Sequence, residues 1–176
     1  RPLTTDEARR LIAATESGES HHGMTGHERT LVYRLALETG LRHGEIRKLR
    51  RIDFNLTADP ASVTIRAQDE KAGRGDTLPL RPDLARDMEA YFSERLAMPT
   101  VEAFPTMATK GADMLRADLD AAGIDWREDE AGTIIDFHSL RHTFGTMLAA
   151  SGVHPKTAMD LMRHSDVNLT LGLYSH

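Results

Sequence analysis

The chain has 176 residues, 28% charged and 40% hydrophobic, with 22 Lys and Arg against 27 Asp and Glu for a net charge of −5. It contains no cysteine, which excludes disulfide frameworks, thiolate zinc sites and cysteine nucleophiles. No apolar run approaches the roughly 20 residues a bilayer span requires, and the opening Arg1-Pro2-Leu3-Thr4-Thr5-Asp6 has no apolar signal region.

As a bulk property the acidic balance argues against a polyanionic partner. Its distribution argues otherwise. Residues 82–136 carry 5 positive and 13 negative side chains, net −8, whereas residues 42–51 are net +4. Residues 137–176 are net +1 and hold five of the nine histidines. Of the 22 basic residues 18 are Arg, whose planar fork suits phosphate oxygens. A GC-rich genome would raise the Arg content equally well. The length predicts one domain over residues 1–176, and the missing initiator Met suggests a piece of something longer.

In chain order, Thr4-Thr5-Asp6-Glu7 reads as a capping box opening a helix to about Ser17. His21 to Gly26 is a loop. A second helix is predicted over about 27–39, with Leu31, Val32, Leu35 and Ala36 on one face and Gly40 as its stop. A short third helix carries Gly44-Glu45-Ile46-Arg47-Lys48-Leu49. Ser62-Val63-Thr64-Ile65-Arg66 and Thr77-Leu78-Pro79-Leu80 flank Lys71-Ala72-Gly73-Arg74-Gly75 and predict a β-hairpin. Helices follow at about 82–97, opened by Pro82, and at 109–122, with a short extended piece at Thr133-Ile134-Ile135. Ser139 is read as the cap of a helix to about Ala150, Pro155 opens the next, and Ser165-Asp166 caps the last. The fold class is α+β: mostly helical with one small antiparallel sheet.

Four clusters could carry chemistry. Arg42 and Glu45, three apart at a helix start, share a face and can pair, although an exposed salt bridge has the same signature. Lys71 sits at the predicted hairpin tip, where most lysines are merely solvated. His138-Ser139-Leu140-Arg141-His142 puts His138, Arg141 and His142 on one helical face. A zinc helix would need Glu where Ser139 stands, and no third ligand is evident, so no metal is expected. His164-Ser165-Asp166 precedes Tyr174, which alone would read as a packing residue.

Taken together and in order, Arg42, Lys71, His138-x-x-Arg141, His164 and Tyr174 resemble the catalytic domain of the tyrosine recombinase (phage integrase) family. The flanking text is similar too: TGLRHGEIRKL to the first-arginine box, DFHSLRHTFGTMLAASG to the His-x-x-Arg box, LMRHSDVNLTLGLYSH to the nucleophile box, and LTTDEARRLIAA to the start of the domain. The resemblance covers essentially the whole chain. One departure is Met162-Arg163, where family members commonly have Leu-Gly; an Arg there either adds a phosphate contact or crowds the site.

The resemblance implies the DNA breaking-rejoining fold and a site-specific recombinase or integrase that cleaves and rejoins DNA through a 3′-phosphotyrosine. Tyr174 would be the nucleophile, Arg42 and Arg141 the phosphate clamps and Lys71 the general acid. His138 would exchange a proton with the phenol, His164 would donate a hydrogen bond to a phosphate oxygen, and Glu45 would orient Arg42 or a histidine. No metal, ATP or other cofactor is expected. The implied partners are double-stranded DNA and further protomers on paired sites, with a tetramer for a full-length protein and a monomer for this piece. It also implies a core-binding domain ahead of this one, a cytoplasmic, nucleoid-associated location and no membrane. Readings from other classes are a type IB topoisomerase, an inert DNA-binding regulator, and a zinc hydrolase built on His138 and His142.

Overall fold

A computed structural model describes residues 1–70, 73–95 and 98–164. The described residues form seven α-helices and three short strands: α1 (Thr5–Glu16), α2 (Gly26–Thr39), α3 (His43–Lys48), β1 (Phe54–Asn55), β2 (Ser62–Ile65), β3 (Asp76–Pro79), α4 (Pro82–Ser93), α5 (Ala112–Ala121), α6 (Phe137–Ala150) and α7 (Pro155–Met162). Among the described residues no helix is long and apolar enough to cross a membrane.

The expected hairpin is the β2–β3 pair, with Val63 opposite Leu78 and Ser62 opposite Pro79. β1 was not anticipated: only Phe54 and Asn55 pair, with Val63 and Ser62. A two-residue strand has no alternation to read. The Thr133-Ile134-Ile135 stretch lies outside the sheet, and α4 ends at Ser93 rather than near 97. Ser139 is not a helix cap. Asp136 is, accepting from the Ser139 backbone at 3.0 Å, while the Ser139 hydroxyl accepts from the Asp136 backbone at 3.1 Å. The expected cap falls three residues late because Ser and Asp are equally good acceptors. The expected cap at Ser165-Asp166 lies outside the described residues. Thr4 and Glu7 form the predicted capping box of α1.

α2 is the axis of the domain, packed by α1, α4 and α6. Leu31, Val32, Leu35 and Ala36 are fully buried as expected, but so are Arg29 and Tyr33 on the other side. Both meet a single carboxylate from α5, and Arg29 also donates to the carbonyls of Met24 and Glu19. Arg29 donates to both oxygens of Asp118, from Nε at 2.9 Å and from Nη2 at 3.0 Å. The Tyr33 hydroxyl donates to the same carboxylate at 2.7 Å, and His21 Nε2 lies 3.1 Å from it. A one-sided hydrophobic stripe therefore understated the burial of α2, because its second face is buried through ion pairing.

Removing one member of such a buried pair leaves the other charge uncompensated. Asp118→Ala is expected to lower the unfolding free energy by about 3–5 kcal/mol, measured by urea denaturation. A loss below about 1 kcal/mol would mean that water reaches Arg29 and that the pair is not buried in solution.

Candidate functional site

Two helix C-termini converge on one guanidinium. α2 stops at Gly40, which takes a left-handed conformation (φ 69°) and closes the helix through a bond from its N–H to Ala36. Only glycine fits here on two counts, since a Cβ would also lie 2.7 Å from the Phe144 ring. Arg141, in the second turn of α6, donates from Nη1 to the Gly40 carbonyl at 2.5 Å. Its Nη2 donates to the carbonyl of Met162, the last residue of α7. Carbonyls at helix C-termini lack intrahelical donors and carry the negative end of the helix dipole, so a buried cation suits them. Burial, and then the charges of Arg42 and Arg163, lower the Arg141 pKa to about 10, which leaves it protonated at neutral pH.

Just past Gly40 the chain reverses through buried Leu41 into α3, with Arg42 at its N-cap. The Arg42 backbone N–H donates to Glu45 Oε2 at 2.8 Å and its Nη1 to Glu45 Oε1 at 3.0 Å. The Arg42 side chain stays 33% exposed against 4% for Glu45. One edge of the guanidinium is thus anchored while the remainder faces solvent. Glu45 is held from a second side by Arg163, which donates from Nη1 to Oε1 at 3.1 Å and from Nη2 to Oε2 at 2.8 Å. Burial alone would push the Glu45 carboxyl up. The hydrogen bonds from Arg163 and from the Arg42 backbone, with both charges, instead hold it below the usual carboxylate range.

Arg163 is buried, its side chain only 2% exposed. It terminates α7 at φ 54°, where helices favour glycine, and bends its side chain inward. Beyond Glu45 it lies 3.7 Å from Glu70. Glu70, buried at the end of the segment that follows β2, accepts from the backbone N–H groups of Arg74 at 3.1 Å and Gly75 at 2.9 Å. Glu70 was not singled out from sequence; the available signal was an acid placed four and five residues before Arg74-Gly75, the geometry of a carboxylate closing a loop on itself.

The histidines complete the surround. His138 is in the first turn of α6, positioned by the Asp136 cap and by buried Phe137, whose ring meets Tyr33 and His43. His138 and His142, one turn apart, stack edge to face with ring centroids 4.7 Å apart. Desolvation, then His142, Arg141 and Arg42, lower the His138 pKa, with Asp136 opposing. His142 is lowered as well, chiefly by desolvation. His164, just beyond the α7 terminus, donates its backbone N–H to Met159 at 3.1 Å. Its imidazole is lowered to about 4 by burial and by Arg141, Arg42, His142 and His138. Arg42, Glu45, His138, Arg141 and His164 thus come together from three segments, the start of α3, the first turns of α6 and the end of α7. Lys71 and Tyr174 lie outside the described residues.

This arrangement is a cationic surface fronted by neutral imidazoles: it can bind an oxyanion through guanidinium forks and move protons through rings that are unprotonated at neutral pH. Clefts of about 290 Å³, lined by Glu70, Arg74, Arg163 and His164 among others, and about 330 Å³, lined by Arg42, Glu45 and Lys48 among others, flank it. A larger groove of about 880 Å³ between α1, α2 and the start of α4, with Met147 of α6, contains none of these residues. Among the described residues no group of three or more His, Asp or Glu is placed to hold a metal ion.

The family model described as the phage integrase family matches residues 1–176. The chain belongs to the phage integrase family. A curated relative of this integrase-family chain, the tyrosine recombinase XerD of Caulobacter vibrioides, is 28% identical over 99% of the chain and 56% of the relative. The crystal structure of XerA recombinase superposes with a TM-score of 0.74 at 23% identity, over 100% of this chain and 59% of that one. The catalytic domain of bacteriophage HP1 integrase superposes with a TM-score of 0.67 at 19% identity, over 99% of this chain and 86% of that one. The fold is therefore that of tyrosine recombinase catalytic domains, and the chain spans about half the length of the curated relatives it matches.

Titration of side-chain-labelled protein by NMR checks the electrostatics directly. His138, His142 and His164 should all be neutral at pH 7, with His164 titrating near pH 4. A His164 midpoint at or above 6.5, the ordinary histidine value, would mean that Arg42 and Arg141 do not face it in solution.

Proposed function

We propose that residues 1–176 are the catalytic unit of a site-specific DNA recombinase that cleaves and rejoins strands through a 3′-phosphotyrosine at Tyr174. The observation that carries this reading is the convergence of Arg42 and Arg141 with His138 and His164, two fixed guanidinium forks beside neutral imidazoles. The family membership and the XerD relative point the same way.

In the proposed reaction the Tyr174 phenol oxygen bonds to the scissile phosphorus and the bond to the 5′-oxygen breaks. His138 accepts the phenolic proton, which its lowered pKa permits at neutral pH. Lys71 delivers a proton to the departing 5′-oxygen. Charge accumulates on the two non-bridging oxygens as the fifth bond forms. Arg42 and Arg141 stabilise it with donors already oriented by Glu45 and by the helix-terminal carbonyls, so little reorganisation accompanies the chemical step. His164 adds a hydrogen bond from a neutral ring to a phosphate oxygen. Attack by a 5′-hydroxyl from another strand reverses the sequence and reseals the backbone without ATP.

The substrate is double-stranded DNA, and recombination requires further protomers on paired sites, a tetramer in the full-length protein. We place a core-binding domain before residue 1 to supply the remaining grip, and the protein in the cytoplasm on the nucleoid. With a net charge of −5, the isolated unit is expected to be monomeric and to bind DNA weakly and with strong salt dependence.

The test is a nicked suicide duplex carrying the target site. The unaltered chain should form an adduct resistant to SDS, and Tyr174→Phe should form none. Arg141→Lys should cost on the order of 10²–10³ in single-turnover cleavage, the usual loss for one preorganised donor. An adduct that survives Tyr174→Phe would transfer the nucleophile elsewhere. Cleavage should also fall in acid, with a midpoint below the ordinary histidine value of about 6.5, because burial and nearby cations lower His138 and its protonated form cannot accept the phenolic proton. Relaxation of supercoils from a single site, with no requirement for a second, would favour a topoisomerase.

A further inference from the structure

The position occupied by Arg163 is poor for a side chain by every local criterion. Its φ of 54° lies in the left-handed region that glycine fills at helix ends without steric cost. Its guanidinium is 2% exposed, and among the described residues its Nε has no hydrogen-bond partner. Burial of a charge in a disfavoured backbone conformation with an unsatisfied donor is not what stability alone selects. What the arrangement achieves is contact with two carboxylates from separate parts of the fold. Glu45 takes both of its terminal nitrogens, and Glu70 lies 3.7 Å from one of them.

Each carboxylate already holds something else. Glu45 holds the backbone and side chain of Arg42, and Glu70 holds the backbone of Arg74 and Gly75 in the segment between β2 and β3. Arg163 also directly follows Met162, whose carbonyl accepts from Arg141. One residue therefore ties together the Arg42 turn, the loop after β2 and the carbonyl that seats Arg141.

Charge gives a second, independent argument. Arg42, Arg141 and Arg163 against Glu45 and Glu70 leave the cluster one positive charge in excess. Remove Arg163 and two cations face two carboxylates, so the extra negative charge that develops on the phosphate during attack finds no excess positive charge in the cluster. In a low-dielectric setting that difference bears directly on a developing oxyanion.

We propose that Arg163 is a positioning residue, which orients Arg42 through Glu45, holds Glu70 at the end of the segment after β2, and offsets the charge of both carboxylates so that the cluster can stabilise the charge that develops on the phosphate during attack. This rests on the recombinase reading above.

The test uses Arg163→Gly, which suits the backbone, alone and combined with Glu70→Gln. Circular dichroism and thermal melting report folding. On the suicide duplex, Arg163→Gly should form the covalent adduct roughly 10- to 100-fold more slowly, the range typical of lost outer-shell support, while DNA affinity changes by no more than about twofold. Free guanidinium ion should restore part of the rate, as should Glu70→Gln in the Arg163→Gly background, because each corrects the charge without rebuilding the original side chain. Cleavage by folded Arg163→Gly at the wild-type rate, or a loss that follows DNA affinity, overturns the proposal, as does the absence of recovery by either route. Absence of any adduct from the unaltered chain overturns the recombinase reading and the positioning role with it. The bridge itself is then judged by urea denaturation of Arg163→Gly, Glu45→Gln and the double variant, where additive shifts would show that the two side chains do not interact.

Discussion

The Arg141 guanidinium, donating to the carbonyls of Gly40 and Met162, is the contact on which the arrangement of the site depends. Those carbonyls close α2 and α7, and Arg141 stands on α6, so one side chain sets the relative placement of three helices. A hydrophobic contact would hold the same helices together but would not specify their ends, because it has no direction. A planar fork with fixed N–H vectors does specify them. Everything nearby inherits the constraint: Gly40 must be glycine to turn its carbonyl inward beneath Phe144, Arg42 begins the next helix two residues on, and His164 follows two residues after Met162.

The domain has a second polar centre, and the contrast with the first is instructive. Around Asp118, one carboxylate is saturated by Arg29, Tyr33 and His21, and the guanidinium facing it is fully buried. Nothing there remains for a ligand, and the centre serves to dock α5 on α2. Around Glu45 the acid is equally buried, yet one of its cations, Arg42, keeps a third of its side chain in solvent. Both centres use the same residue types in paired, desolvated geometry. What separates structure from chemistry is whether a cation is left with an open side.

Much of this was legible in the sequence, for identifiable reasons. Capping boxes, helix stops at glycine and the alternation of Ser62–Ile65 are local signals, and the elements they mark are present. The order of Arg42, His138, Arg141 and His164 pointed to a family whose fold brings them together. Three things were not legible. β1 is too short to carry a pattern. The second buried face of α2 is polar in composition and is buried only because α5 supplies Asp118 from 85 residues away. The inward turn of Arg163 depends on a backbone angle, and an arginine beside a phosphate-binding motif reads naturally as a phosphate ligand until the φ of 54° is known. For α2 and for Arg163 the deciding partner lies far along the chain, where no window of sequence reaches.

The left-handed turn at Arg163 has a consequence for how such chains diverge. A glycine there leaves Glu45 and Glu70 short of a cation, whereas an arginine without both acids is a buried charge with nothing to face. Positions 45, 70 and 163 are therefore not free to drift one at a time. They make up a single heritable unit scattered across 118 residues, and an intermediate with only part of the set would fold with a charge stranded in its interior.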